Sequence, residues 1–394
     1  MPDSFIPNPT PVAVAETKAQ REAIFALRYQ VYVAELKKAN VANADHEKGW
    51  IKDPEDDEPQ TTLLFTGPPQ APTGAMRLRV WQPGEVDEHT AELYSLHHFP
   101  DLEKQPVFEI SRLIVSPTAR GTPAAPCLFE AAYRLAVGER HAHVGFLYCA
   151  PGLSRAYRRL GFRGYPGELI PSPDGLRVPM AMIGGDLEYF QKVGSPLTPL
   201  VLEHFPQGSG HHAAAGDYRY LLDSAFHPYE LNPAAVWHDM QEALFDAQLP
   251  APLFLDKIPP GELQRLAEAA TVMEAPAGAI VTRKELVEEE MYLVLSGEFE
   301  VIIGDRRLAL LRPGDIAGEM ALLLPNHQRT ADIRAVSSGR LVVIGRKFLA
   351  AMKKDNPALA ADLLENLCRI LAARLAETDT VCYAPPEAGG RPLS

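Results

Sequence analysis

Residues 313–335 read PGDIAGEMALLLPNHQRTADIRA. Gly314-Asp315 is a turn signal, and Gly318-Glu319-Met320-Ala321-Leu322 reads as one short helical turn opened by a glycine. Arg329 stands ten residues after Glu319 and is followed by Thr330 and Ala331. A helix start presents unpaired N–H groups to an anion. An arginine returning across it can clamp a phosphate with two parallel bonds, and a glutamate in the same turn can accept a hydroxyl. Together these suit a phosphate joined to a ribose. The residues alone leave a second reading of Arg329, a surface ion pair with Glu319.

The segment resembles the phosphate-binding cassette of cyclic nucleotide-binding domains, a Gly-Glu-x-Ala-Leu turn, a spacer, then Arg-Ser/Thr/Ala-Ala. The flanks carry the same resemblance. Phe254 to Leu266 is similar to the leading helix, Ala277-Gly278-Ala279-Ile280-Val281 to the first barrel strand, and Tyr292 to Gly297 to the Tyr-containing strand. The resemblance covers about 250–378 and implies a β jelly-roll barrel with flanking helices and a cyclic nucleotide effector. By that likeness Arg329 holds the cyclic phosphate and Glu319 the ribose 2′-OH. Gly318 and Ala321, with Met320 between them, supply backbone N–H groups. Thr330, beside Ala331, reaches the purine and fits cAMP and cGMP equally. Arg369 or Arg374 on the last helix either lids the base or is a solvated charge. The chain departs from the family at Glu285-Leu286-Val287-Glu288-Glu289-Glu290, where a glycine turn is common. Only about 17 residues follow Glu377, too few for a helix-turn-helix, so no DNA partner is expected.

The 394 residues carry 38 Lys+Arg against 51 Asp+Glu, a net charge of −13. That balance argues against broad nucleic-acid backbone binding. The length suggests two or three domains. No apolar run reaches the ~18–20 residues of a bilayer span, and Met1 to Pro11 lacks a signal-peptide pattern. The four cysteines stand far apart, so a reducing cytoplasm is expected. Texture divides the chain into 16–195, a Pro/Gly-rich linker with a short helix at 196–249, 250–378 and a tail at 379–394.

In the first of these, Gln20 to Leu36 is a helical stretch with Arg28 among Ile24, Leu27 and Val31. Such an arginine either snorkels or holds an anion. Met76 to Val80 and Phe108 to Val115 read as strands. Glu109 and Arg112 are three apart, so they face opposite ways unless a bulge intervenes; otherwise they read as a structural ion pair. A helix through Leu128, Ala132 and Leu135 follows, then the strand Gly145 to Cys149. A further helix ends at Tyr157-Arg158-Arg159-Leu160-Gly161-Phe162, with Gly161 as its stop.

This order resembles the GNAT acyltransferase superfamily, whose Tyr-x-x-x-Gly-Phe ending matches Tyr157 to Phe162. The strand Phe108-Glu109-Ile110-Ser111-Arg112 and the helix with Arg28-x-x-Val31-Tyr32 are similar to the acyl-homoserine-lactone synthases and long-chain N-acyl amino acid synthases within it. The acidic stretch Asp53 to Glu58 lies about where that subgroup has acids. The likeness covers about 16–190 and implies an α+β fold with a mixed central sheet flanked by helices, and a bulged fourth strand. It implies direct aminolysis of an acyl thioester carried on acyl carrier protein or coenzyme A. Glu109 takes the amine proton, Tyr157 protonates the leaving thiolate, and N–H groups at Leu113 to Val115 meet the oxyanion. Arg28 and Arg112 hold the acceptor's carboxylate. Tyr157 also reads as a packing residue. Arg120-Gly121-Thr122-Pro123-Ala124-Ala125 stands at the pyrophosphate loop, with Arg120 as a substrate contact. Pro123 has no N–H to offer, which favours the carrier-protein donor.

The expected function is a cyclic nucleotide-regulated N-acyltransferase acting on a small amine such as an amino acid. The alternatives are a protein lysine acetyltransferase using acetyl-CoA and a non-catalytic nucleotide-binding regulator. No metal is expected: His141/His143 and His211/His212 have no further ligand at suitable spacing. His97-His98-Phe99-Pro100-Asp101 is one residue short of another acyltransferase motif. There is no Gly-x-Ser-x-Gly elbow and no phosphate-binding Gly-Lys loop.

Overall fold

A computed structural model describes residues 4–38, 41–165, 170–172, 175–206, 218, 253–269, 271–324 and 327–382. Strand β1 (Val12–Val14) leads into α1 (Lys18–Tyr29). Thr17 opens α1: its hydroxyl accepts from the Gln20 N–H while the Gln20 side chain accepts from the Thr17 N–H, a capping box. The helix continues as a π turn over Gln30–Glu35. A small hairpin, β2 (Ala44–Asp45) and β3 (Trp50–Ile51), precedes the 3-10 turn Pro54–Asp57. Then come β4 (Thr61–Thr66), β5 (Gly74–Trp81), α2 (Glu88–Leu93), β6 (Val107–Val115), α3 (Ala124–Tyr133) and β7 (Val144–Cys149). After these follow α4 (Ser154–Arg158), β8 (Arg163–Gly164), β9 (Ile170–Ser172), β10 (Gly175–Ile183), α5 (Leu187–Lys192) and α6 (Thr198–His204).

The central sheet has the order β1-β4-β5-β6-β7-β10-β8, with β9 on β10. Neighbours run antiparallel except β6 and β7, which are parallel. Strand alternation divides the core. Leu63, Phe65 and Ala75 meet Ile24, Phe25 and Leu27 of α1. Leu64, Met76 and Leu78 share the opposite core with Leu128, Phe129 and Ala132 of α3. The β6–β7 join requires Gly145, because a Cβ there would lie 2.0 Å from the Phe108 ring. That ladder covers only Val107↔Val144 to Glu109↔Phe146, whereas β7 stays paired with β10 as far as Cys149. The two central strands therefore part after Glu109.

The anticipated bulge is present in β6. Between its partners Ala75 and Arg77, β5 advances two residues while β6 advances three, from Ile114 to Ser111. Arg112 carries the excess with φ +51°, a conformation costing a non-glycine residue about 1–3 kcal/mol.

The second unit contains two four-stranded sheets. β11 (Thr271–Ala275), β13 (Glu290–Ser296), β16 (Ile316–Ala317) and β18 (Gly339–Gly345) order as β11-β18-β13-β16, and β12 (Ile280–Thr282), β14 (Phe299–Ile303), β15 (Arg306–Leu311) and β17 (Asp332–Ala335) as β12-β17-β14-β15. All pairs are antiparallel. Tyr292, Val294, Phe299, Ile333 and Leu341 fill the jelly-roll core. The leading helix Pro260–Ala269, the helix Arg346–Asp355 and the C-terminal helix Pro357–Cys382 build a second core with Met291, Leu293, Val342 and Ile344.

Two boundaries differ from expectation. The span 196–249 does not begin as a linker: Leu197, which caps α6, and Leu200 and Val201 within it lie in the first unit's core. The last helix runs to Cys382, past the expected start of the tail at 379. Its apolar face continues beyond Leu367 and Ile370, and no proline interrupts it. The helical piece expected around Ala235 to Leu244 lies outside the described residues. The two units touch where β10 meets β12 and where the turn Pro151–Leu153 meets β11 and β18.

Candidate functional site

Glu109 lies where β6 and β7 part, and it is 4% exposed. The Tyr94 hydroxyl donates to its carboxylate at 3.0 Å and Arg79 donates at 3.4 Å. Arg79 also bonds Glu58 at 2.6 Å and lies 4.4 Å from the Trp81 ring centroid. Burial, and then the Glu109 charge, push the Tyr94 phenol far above its ordinary value, so it remains a donor. Tyr148 of β7 flanks the opening: its ring centroid is 6.0 Å from that of Tyr94, and Glu109, Arg112 and Arg77 are its charged neighbours.

Arg28 does not hold an acceptor. It is wholly buried and bonds Asp56 through both terminal nitrogens at 2.6 and 3.0 Å. Arg112 is likewise engaged, with Nε and a terminal nitrogen on the two Asp53 oxygens at 2.6 and 2.7 Å. Arg77 bonds Asp53 at 3.0 Å and the Ser111 hydroxyl at 2.9 Å. Burial works to raise the Asp53 carboxyl, but Arg112 and then Arg77 outweigh it and hold the group below the usual carboxylate range. The expected clamp is thus an internal network, because the 3-10 turn Pro54–Asp57 and its capping residue deliver Asp56 and Asp53 into the same space. No ion pair joins Glu109 to Arg112, since each is engaged elsewhere.

Tyr157 is half-buried. Its ring packs edge-on against Phe129 and Phe162, with centroids 5.9 and 6.5 Å apart, and burial raises its phenol. Leu113 and Val115 lie beyond the bulge, where β6 has left β7. Arg120 is exposed and chelates the Glu35 carboxylate with both terminal nitrogens. Its anion comes from the end of the π turn.

In the second unit Gly318, Glu319, Met320, Ala321, His327, Gln328, Arg329 and Thr330 line a cavity of about 60 Å³. The surface pair of Arg329 with Glu319 is not what forms. Arg329 is 6% exposed and donates to Glu288 at 3.2 Å, to the Gly318 carbonyl at 3.1 Å and to the Glu290 carbonyl at 2.5 Å. Glu319 accepts from Arg374 of the C-terminal helix at 2.8 Å, and Arg374 also bonds the Ile316 carbonyl at 2.6 Å. Gly318 is required twice over. Its φ is +77°, and a Cβ would lie 2.2 Å from an Arg329 nitrogen. Ala331 is buried and Thr330 exposed.

Residues 23–173 match the family model of the N-acyl amino acid synthase FeeM, and residues 272–356 match that of the cyclic nucleotide-binding domain. The chain joins these two domains. The nucleotide domain's wider company is varied. The Pycsar effector protein XpPycTIR of Xanthomonas perforans is 29% identical over 124 residues, 32% of this chain and 40% of that protein. The Cyclic AMP receptor protein of Thermus thermophilus is 35% identical over 109 residues, 26% of this chain and 48% of that one. The crystal structure of Thermus thermophilus Catabolite Activator Protein aligns with 30% identity and a TM-score of 0.30, over 33% of this chain and 61% of that one. The chain spans under half the length of the curated relatives it matches. Among the described residues no helix is long and apolar enough to cross a membrane, and no cluster of three metal-ligating side chains occurs.

Neither half's site was wholly legible. Tyr94, Arg79 and Tyr148 carry no motif around them and reach Glu109 only through tertiary packing. Glu288 and Arg374 were visible as charges, but nothing in their spacing named Arg329 and Glu319 as partners.

Proposed function

We propose that the chain is a cyclic nucleotide-controlled N-acyltransferase of the GNAT type, moving an acyl group from a thioester to the amine of an amino acid. The observation that carries it is the buried Glu109 carboxylate standing where two parallel central strands separate. An acyl thioester entering that gap brings its carbonyl to the unladdered edge of β6 at Leu113 to Val115, whose N–H groups meet the developing oxyanion. The amine attacks the carbonyl and gives its proton to Glu109, directly or through one water. The C–S bond breaks, and the thiolate takes its proton at Tyr157 as the proton held by Glu109 returns to the phenol through water, so both groups end as they began. Arg120 is engaged by Glu35 and Pro123 lacks an N–H, which favours a carrier-protein donor over coenzyme A.

Control by cAMP or cGMP follows from the cassette and from the contact between the units. The turn Pro151–Leu153 meets β11 and β18 on one side and runs directly into α4, which carries Tyr157. The test measures N-acyl product from acyl carrier protein and coenzyme A thioesters, with and without each nucleotide. A change in rate with nucleotide is expected; equal rates would remove the regulatory half of the proposal. Lysine acetylation from acetyl-CoA in the same assay would replace the amino acid acceptor.

Arg329→Lys should weaken nucleotide binding about tenfold to a hundredfold, because a charge-assisted bond to a phosphate contributes about 1.5–3 kcal/mol and an ammonium cannot reproduce the planar fork. Calorimetry with cAMP and cGMP checks this. Undiminished affinity would place the phosphate elsewhere.

A further inference from the structure

Residues 327–329 run as a short extended piece beside the acidic segment Glu285 to Glu290. Gln328 bridges Val287, the Arg329 N–H donates to the Leu286 carbonyl at 2.8 Å, and the Glu285 N–H donates to the Arg329 carbonyl at 2.7 Å. Extended backbone sends successive side chains to opposite sides. Gln328 is exposed, and its amide donates to the Glu285 carbonyl at 3.1 Å. His327 and Arg329 flank it and share the other side, against the cassette cavity. The segment thus presents a His-x-Arg pair to one small space.

Much of the donor set is committed before a ligand arrives. Three of the five Arg329 N–H groups are used, on Glu288 and on the Gly318 and Glu290 carbonyls, which leaves one on each terminal nitrogen. The Ala321 N–H, expected at the phosphate, donates to the Gly318 carbonyl at 3.0 Å. His327 differs. The residue is half-buried, and its Nε2 is buried with no hydrogen-bond partner among the described residues. A buried polar atom in that state costs about 1–3 kcal/mol, and folded proteins keep few of them. A ligand oxygen seated in the cavity satisfies it.

The size of the space says which part of a nucleotide this is. About 60 Å³ takes about four or five waters, which is room for a phosphate and too little for a purine. We propose that His327 is a second phosphate-binding residue of the cassette. Its Nε2–H donates to one exocyclic oxygen of the cyclic phosphate, and the two remaining Arg329 N–H groups hold the other. A neutral imidazole with its proton on Nε2 suffices. The phosphate is common to cAMP and cGMP, so His327 strengthens both alike and leaves the choice of base to other residues. The proposal rests on the nucleotide reading of the cassette.

The experiment is calorimetry of the full chain with cAMP and with cGMP, beside a thermal melt without nucleotide. His327→Phe keeps a ring and removes both nitrogens, whereas His327→Gln keeps an N–H donor. Kd should rise about tenfold to a hundredfold in His327→Phe, the worth of a hydrogen bond to a charged group, and by the same factor for both nucleotides. His327→Gln should recover most of that loss. The melting midpoint of His327→Phe should not fall, because the variant buries no unpaired nitrogen. Wild-type affinity in His327→Phe overturns the proposal and leaves the nucleotide reading standing. A lowered midpoint in His327→Phe with an equal loss of affinity in His327→Gln also overturns it, by making His327 a packing residue. A loss confined to one nucleotide moves the contact to the base and overturns the phosphate assignment. Failure of the wild type to bind either nucleotide overturns the nucleotide reading itself, and this proposal with it.

Discussion

Glu109→Gln should lower the rate of acyl transfer by about 10²–10⁴-fold, the usual contribution of a positioned general base, and leave the fold intact. The amide has the same shape and still accepts from the Tyr94 hydroxyl. Arg79 loses a carboxylate at 3.4 Å and keeps Glu58 at 2.6 Å. Steady-state rates beside a thermal melt separate the two effects. A variant that melts like the wild type with unchanged turnover would instead support a binding-only regulator.

Arg28→Ala should cost about 3 kcal/mol of stability, the low end for breaking a buried pair, because the other charge keeps part of its compensation. Asp56 would retain the Asp53 N–H at 2.8 Å and Arg77 at 3.6 Å and lose both Arg28 bonds. Urea unfolding of the variant reads this directly, and a loss under about 1 kcal/mol would mean that water reaches the cluster. The network also sets an acid limit. Asp53 has its folded value depressed, so its contribution is present above the ordinary carboxylate range and is lost as pH falls through the folded value. Urea midpoints should drop steeply on acidification below that range, in a profile flattened by Asp53→Asn.

Much of this architecture was legible because it is periodic or local. The alternation of Met76 to Val80, the stop at Gly161 and the cassette from Gly318 to Ala331 each depend on neighbours a few residues away. The bulge was anticipated from the family likeness, whereas the parity of Glu109 and Arg112 left it open. What escaped was pairing across the sheet. Arg28 looked like a ligand because its carboxylate, Asp56, lies 28 positions away in a stretch with no helical or strand pattern. Tyr94 reaches Glu109 from a short helix end whose sequence gives no sign of the contact.

The short helix Met320–Leu323 is tethered at both ends. Glu319 ahead of it is gripped by Arg374, while Arg346 bonds the carbonyls of Ala321 and Leu324 behind it. Those two arginines sit on successive helices joined only through Asn356. A molecule seated on this one turn would therefore touch the moorings of both helices at once, and the single residue between them is where they could change angle.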